Sequence, residues 1–195
     1  MSSASPLPQP PSGPETPPTG AVGASRRRLL YGLAAVCAGL AGAGLAWCQG
    51  QPASGKPSAA ELAFWGLEFE SPQGGMLKMS ALKGSPLLVN FWATWCPPCI
   101  EELPMLDQFY KDNAARQVQV IGLAVDKTQA VRNFLQKTPI SFPMGITGSA
   151  GLELCQGLGN TGGALPFSLA MGADGLVKHR KMGKITAQEL KDWLA

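Results

Sequence analysis

Two hydrophobic patterns, strand-like apolar runs and apolar residues at helical spacing, alternate along the last two thirds of the chain. Residues 87–92 form an almost uninterrupted apolar run, which is typical of a central strand covered on both faces. Behind it, residues 98–115 carry Ile100, Leu103 and Leu106 at helical spacing. The same reading predicts further strands at 64–70, 118–125, 167–171 and 176–182, and a strand followed by a short turn within 76–82. It predicts further helices at 128–137, 149–158 and 186–194.

This order of elements predicts one α/β domain over residues 61–195, with a central mixed β-sheet flanked by helices. Acidic and basic residues are equal in number there, so the formal charge of +3 belongs to the preceding segment. A neutral domain gives no reason to expect nucleic acid as a partner, because such binding needs a clustered cationic surface.

The N-terminal 60 residues divide into three segments by composition. Residues 1–24 are rich in Pro, Ser, Gly and Ala and are predicted to be disordered. Residues 25–48 place three arginines before an uncharged apolar run, which is typical of an export signal or a membrane anchor. Residues 49–60 are a Pro/Gly/Ser/Ala linker.

The export route is left open by the basic segment. Its Ser-Arg-Arg-x-Leu-Leu sequence resembles a twin-arginine signal, while a Sec signal and a retained inner-membrane anchor fit the same pattern. Lipidation at Cys48 ranks last, because Trp47 stands where a small residue is expected. Each reading places residues 61–195 on the periplasmic side of the membrane.

The residues with the clearest chemistry are Cys96 and Cys99, between the predicted strand at 87–92 and the helix that follows. Backbone N–H groups and the dipole at a helix start stabilise a thiolate, and a second thiol two residues away can resolve a mixed disulfide. Zinc would need about four ligands, and only Cys155 and His179 lie outside the pair in the domain. A purely structural disulfide would close too short a loop to stabilise the fold much. Dithiol–disulfide exchange is therefore the favoured chemistry.

The neighbouring residues suggest roles around this pair. Cys96, at the helix start, is the predicted attacking thiol, and Cys99 is the predicted resolving thiol. Trp95 is expected to contribute to a surface for substrate proteins, and Pro97 removes a backbone donor near the sulfur.

The sequence Phe-Trp-Ala-Thr-Trp-Cys-Pro-Pro-Cys at 91–99, Glu-Glu-Leu-Pro at 101–104 and Gly-Ala-Leu-Pro-Phe at 163–167 resembles the extracytoplasmic TlpA/ResA-type branch of the thioredoxin superfamily. The resemblance implies a thioredoxin-like fold with an extra N-terminal strand pair. It also implies that Pro166 is a cis-proline facing the cysteines and that Leu165 pairs with the substrate backbone. Glu102 would be a partly buried acid that relays the proton of Cys99, the alternative being a solvated helix residue.

The expected activity is that of a periplasmic thiol–disulfide oxidoreductase that reduces disulfides in exported proteins. A membrane electron donor would then re-reduce its cysteine pair. The resemblance implies apocytochrome c or copper-chaperone thiols as clients. Beyond the cysteine pair no cofactor and no metal site is expected. Two alternatives remain, a peroxiredoxin-like thiol peroxidase and a Cu(I)-handling module using the same cysteines. Cys155 is expected to be a buried apolar residue, with a third redox thiol as the minority interpretation.

Overall fold

The computed structural model of the protein describes residues 57–194. The predicted leader at 1–24, the segment at 25–48 and most of the linker at 49–60 lie outside the described residues. In the part that is described, no helix combines the length and the apolar character needed to cross a membrane.

Helices and strands alternate along the described residues. In chain order the regular elements are α1 (Ala59–Phe64), β1 (Glu68–Glu70), β2 (Met76–Lys78), β3 (Leu87–Trp92), α2 (Pro97–Asp112), β4 (Gln119–Ala124), α3 (Thr128–Lys137), β5 (Met144–Ile146), α4 (Ala150–Gly157), β6 (Phe167–Met171), β7 (Val177–Met182) and α5 (Ala187–Leu194), with 3₁₀ turns at Met79–Leu82 and Ala114–Arg116.

The strands form one mixed sheet in the order β2-β1-β5-β4-β3-β6-β7. Strands β3, β4 and β5 are parallel, whereas β6 is antiparallel to β3 and β7 is antiparallel to β6. The pair β1 and β2 is antiparallel and extends the sheet beyond β5. This architecture confirms the predicted mixed sheet with helices and an added N-terminal strand pair.

Helices cover both faces of the sheet. Successive side chains of β3 point to opposite faces, and all six of them are buried. Leu88 and Trp92 belong to the core cluster that contains residues of α2, α3 and α5, while Val89 and Phe91 belong to the cluster that contains residues of α1 and α4. The cysteine-bearing helix therefore shares its side of the sheet with α3 and α5.

The start of the domain differs from the prediction of a strand over 64–70. A helix occupies Ala59–Phe64, and the strand begins only at Glu68. Ser58 caps the helix by accepting a hydrogen bond from the Glu61 N–H, and the Glu61 carboxylate accepts one from the Ser58 N–H. This reciprocal cap and the burial of Phe64 stabilise the helix, and the alternation of apolar and polar residues indicates neither of them.

Strand β5 is absent from the predicted order of elements. Its three residues follow Pro143 and include Gly145, so they show no readable periodicity. A Cβ atom at Gly145 would lie 2.8 Å from the Cβ atom of Phe69, which is closer than packed side chains approach. Glycine is therefore required where β1 and β5 meet.

Candidate active site

The cysteine pair lies where β3 passes into α2. Cys96 is the N-cap residue of α2, and its carbonyl accepts hydrogen bonds from the N–H groups of Cys99 and Ile100 at 3.1 and 3.2 Å. The two sulfurs are joined in a disulfide, with the Cα atoms 5.3 Å apart. Cys96 is 4% exposed and Cys99 is fully buried. Cys96 is thus the outer of the two cysteines, and its role as the attacking thiol stays a prediction.

The loop before Cys96 is held by an acidic residue at the end of β4. Asp126 accepts hydrogen bonds from the N–H of Thr94 at 2.9 Å and from its hydroxyl at 2.5 Å. Trp95 follows and is 62% exposed, which is unusual for a tryptophan. Pro97 is exposed at the first position of α2, where its missing N–H has no helical partner to lose. Trp95 and Pro97 thus flank the disulfide on the surface.

Glu102 lies one turn after Cys99 on the same face of α2. It is 2% exposed, so the alternative of a solvated helix residue is wrong. One carboxylate oxygen accepts a hydrogen bond from the Asn90 amide at 2.7 Å, and the other accepts one from the Ile185 N–H at 3.0 Å. Burial raises the pKa of Glu102, although these two donors and the Lys184 cation act in the opposite direction.

Asn90 and Ser168 extend the polar cluster into the sheet. They face each other across β3 and β6, and the Asn90 amide also donates to the Ser168 hydroxyl at 3.1 Å. Both residues are fully buried. Neither residue was predicted from the sequence, although Asn90 is the single polar side chain inside the apolar run of β3, and that position could have indicated it.

The loop before β6 contains the bond between Leu165 and Pro166, which is cis as the resemblance implied. Pro166 is buried, and Leu165 is half-buried against the hydrophobic cluster that includes both cysteines. Pro166 immediately precedes β6, the neighbour of β3. The proline loop and the cysteine pair therefore meet at the same end of the sheet.

Asn160 fastens the loop that leads to the cis-proline. This residue is fully buried, and its side-chain amide donates to the Ala164 carbonyl at 2.8 Å. Its backbone N–H donates to the Cys155 carbonyl at 2.9 Å, and its own carbonyl accepts from the Gly163 N–H. Asn160 thereby attaches the loop to the end of α4.

A three-residue segment after β7 donates hydrogen bonds both to the proline loop and to α2. The Gly183 N–H donates to the Pro166 carbonyl at 2.8 Å, and the Ile185 N–H donates to Glu102. Between them, the Lys184 ammonium lies 2.7 Å from a carboxylate oxygen of Glu101. No sequence motif marked this segment, because its partners lie far away along the chain.

The remaining cysteine of the domain, Cys155, faces the opposite side of the sheet from the pair. It is fully buried among residues of the α1 and α4 cluster. Burial raises the pKa of its thiol to about 12, which keeps it protonated. These surroundings favour the packing interpretation over a third redox thiol. Across residues 57–194 no three His, Cys, Asp or Glu side chains are grouped as metal ligands.

Comparison with known proteins agrees with this geometry. Residues 64–180 match the AhpC/TSA family. The chain is 32% identical over 123 residues to the thiol-disulfide oxidoreductase ResA of Bacillus thuringiensis (strain Al Hakam), covering 63% of this chain and 69% of that protein. It is 30% identical over 115 residues to the sporulation thiol-disulfide oxidoreductase A of Bacillus subtilis (strain 168), covering 57% and 67%.

A solved structure shows the same fold. The thioredoxin-related protein from Neisseria meningitidis serogroup B superposes with a TM-score of 0.59 at 30% sequence identity, covering 65% of this chain and 96% of that one. Together with the disulfide-bonded pair at the start of α2, these matches show that the chain belongs to the AhpC/TSA family as a ResA-like thiol-disulfide oxidoreductase with a thioredoxin-like fold.

Proposed function

We propose that this oxidoreductase works on the periplasmic side of the membrane and reduces disulfides in exported proteins. The observation that carries the proposal is the joint placement of an outer cysteine, a buried resolving cysteine, a buried acid and a cis-proline at one end of the sheet. The segment at 25–48 supports the compartment, because its basic and apolar parts are typical of export.

The reaction transfers two electrons from the enzyme dithiol to the substrate disulfide. In the reduced enzyme the Cys96 thiolate attacks one sulfur of the substrate disulfide and releases the other substrate sulfur as a thiolate, which takes up a proton. A mixed disulfide between Cys96 and the substrate results. Cys99 then loses its proton and attacks the Cys96 sulfur. The second substrate sulfur leaves as a thiolate, which takes up a proton, and the Cys96–Cys99 disulfide of the present structure forms.

Glu102 is the proposed acceptor of the Cys99 proton. Its burial beside the helix start raises the pKa of its carboxyl, so the group can hold a proton closer to neutral pH than a surface glutamate can. The helix dipole stabilises the thiolates at the same place.

Leu165 and Trp95 are the proposed contacts for the substrate. As the family resemblance implies, the Leu165 backbone would pair with an extended peptide, and Leu165 packs against the cluster that holds the cysteines. Trp95 presents an exposed aromatic surface beside Cys96. The proposed clients are apocytochrome c and copper-chaperone thiols, and a membrane electron donor would restore the dithiol.

Trapping in cells tests the proposal. The full chain carrying C99S is expressed in cells, quenched with acid and alkylated, and its mixed disulfides are identified after non-reducing separation. We expect C99S to accumulate client proteins through Cys96, because no resolving thiol remains. The variant C96S is the matched control and should accumulate none.

The two variants also test the reaction in solution. Reduction of a disulfide-bonded peptide should fall to the uncatalysed rate with C96S, while C99S should form one mixed disulfide and stop. Equal behaviour of C96S and C99S in both assays would overturn the exchange mechanism. Clients confined to cytoplasmic proteins would instead overturn the proposed compartment.

A further inference from the structure

The segment at residues 183–185 contacts two adjacent glutamates of α2 in different ways. The Ile185 N–H donates to the buried Glu102, while the Lys184 ammonium pairs with the exposed Glu101. The Lys184 and Glu101 side chains are 49% and 63% exposed. An ion pair this exposed adds little to stability, since solvent screens it and both side chains lose freedom. Its position beside Glu102 therefore invites an explanation other than stability.

The groups facing Glu102 come from every element packed around it. Strand β3 contributes the neutral Asn90 amide, with Ser168 of β6 behind it, and the segment before α5 contributes the Ile185 N–H. The charged neighbours are Glu101 on the same helix and Lys184 across from it. The Lys184 cation lowers the pKa of the Glu102 carboxyl, against the larger effect of burial.

We propose that Lys184 and Glu101 are positioning residues that act through Glu102, with the two charges setting in opposite directions the pH at which this buried acid exchanges its proton. The Lys184 cation favours the carboxylate form of Glu102, and the Glu101 anion favours the acid form. Their pairing at 2.7 Å holds the two opposite charges together beside Glu102. The inference deepens the proposed function, because it rests on Glu102 as the proton acceptor for Cys99.

The opposite signs separate this role from simple anchoring. If the ion pair only fastened the segment to α2, loss of either partner would loosen the Ile185 contact and disturb Glu102 in the same direction. If the charges act on the proton, K184M must make Glu102 harder to ionise and E101Q must make it easier. Both side chains are about half exposed or more, so neither change removes a buried contact.

Carbon-13 NMR of the full chain measures the effect directly. The side-chain carboxyl carbons of glutamate are labelled in the oxidised protein, in which Cys96 and Cys99 do not titrate, and the Glu102 signal is assigned by its loss in E102Q. We expect the titration midpoint of Glu102 to move to higher pH in K184M and to lower pH in E101Q. Both shifts should shrink in 1 M salt, where the Debye length is about 3 Å.

Lys181 provides the matched control. It is also a lysine near the end of β7, but its ammonium pairs with Glu189 of α5. K181M should leave the midpoint of Glu102 in place. Shifts of the same sign in K184M and E101Q, or no shift in either, would overturn the inference.

Exchange kinetics distinguish failure of the inference from failure of the proposed function. When K184M and E101Q move the Glu102 midpoint in opposite directions, the pH profile of mixed-disulfide resolution should move with it. Opposite NMR shifts with an unchanged kinetic profile would uphold the charge pair and overturn Glu102 as the proton acceptor. If the kinetic pH profile depends on Glu102 but neither variant moves the Glu102 titration midpoint, Glu102 is upheld as the proton acceptor and the inference about the charge pair is overturned.

Discussion

The two halves of α2 each bury a carboxyl group, and they treat it in opposite ways. Glu102, in the first half, is 2% exposed and is bonded by neutral donors, the Asn90 amide and the Ile185 N–H. Asp107, in the second half, is 6% exposed and is bonded by the Lys111 ammonium at 2.6 Å and by the Ser141 N–H at 2.6 Å. The pKa of Glu102 is raised, whereas the pKa of Asp107 is lowered.

Burial acts in the same direction on both groups, because removing water disfavours the charged form of any carboxyl. At Glu102 burial outweighs its hydrogen bonds, while at Asp107 the contacts with Lys111 and Ser141 outweigh burial. A cation in direct contact therefore fixes the second acid as an anion that ties α2 to the segment after α3. At the first acid the raised pKa favours the protonated form, which is the direction that the proposed relay needs.

The largest effect should come from D107N, which removes the anion but keeps the shape. We expect a loss of about 1–3 kcal/mol in the free energy of unfolding near pH 7, because a buried acceptor for two donors is weakened. A lowered pKa in the folded state stabilises the fold above the ordinary pKa of aspartate, and this is lost as pH falls through the lower folded pKa. The deficit of D107N should therefore vanish in acid.

Denaturant unfolding of the oxidised protein at several pH values measures this. D112N is the control, since Asp112 lies on the same helix but is exposed. If D107N and D112N behaved alike, burial of Asp107 would have no energetic consequence.

E102Q should have a smaller effect with the opposite dependence on pH. The raised pKa of Glu102 means that its contribution is fully present below the ordinary pKa of glutamate and is lost as pH rises through the folded value. E102Q has no proton to lose, so we expect it to gain in stability relative to the parent as pH rises through that value. Below it, the difference should stay within about 1 kcal/mol, because a glutamine amide can donate to the Asn90 carbonyl oxygen, which has no partner among the described residues.

The same unfolding series, run on E102Q, gives the answer. A deficit of E102Q that grows with pH would mean that Glu102 is a structural anion like Asp107. The contrast between the two halves of the helix would then fail.

The site around Glu102 was partly predictable from the sequence, and the site around Asp107 was not. The cysteine pair and Glu102 lie within seven consecutive residues on one predicted helix, so spacing alone placed them together. Ile185 reaches Glu102 across 83 residues and Ser141 reaches Asp107 across 34, and no local pattern encodes either contact. Burial decides the pKa of both acids, and burial depends on how the helix packs on the sheet.

The fold followed a similar division. Helix α3 was predicted at its observed bounds because its apolar positions repeat over ten residues. Strand β5 and helix α1 escaped prediction, since three residues show no period and a capping box can hide inside an alternating run. Long periodic elements are readable from sequence, whereas short elements depend on the partners that pack against them.

The smallest effect should come from K111M, which leaves the Asp107 carboxyl in place and removes its cation. We expect a loss of about 0.5 kcal/mol near pH 7, because Lys111 is 53% exposed and the Ser141 donor remains. The pKa of Asp107 should rise, so acid unfolding should begin at higher pH than in the parent. The control K178M breaks another lysine–aspartate pair of the same spacing and the same 2.6 Å separation, but the side chain of its Asp174 is 49% exposed, whereas the side chain of Asp107 is 9% exposed. If acid unfolding began at the same pH in both variants, burial of the acid would contribute nothing. The explanation of why Glu102 and Asp107 differ would then be wrong.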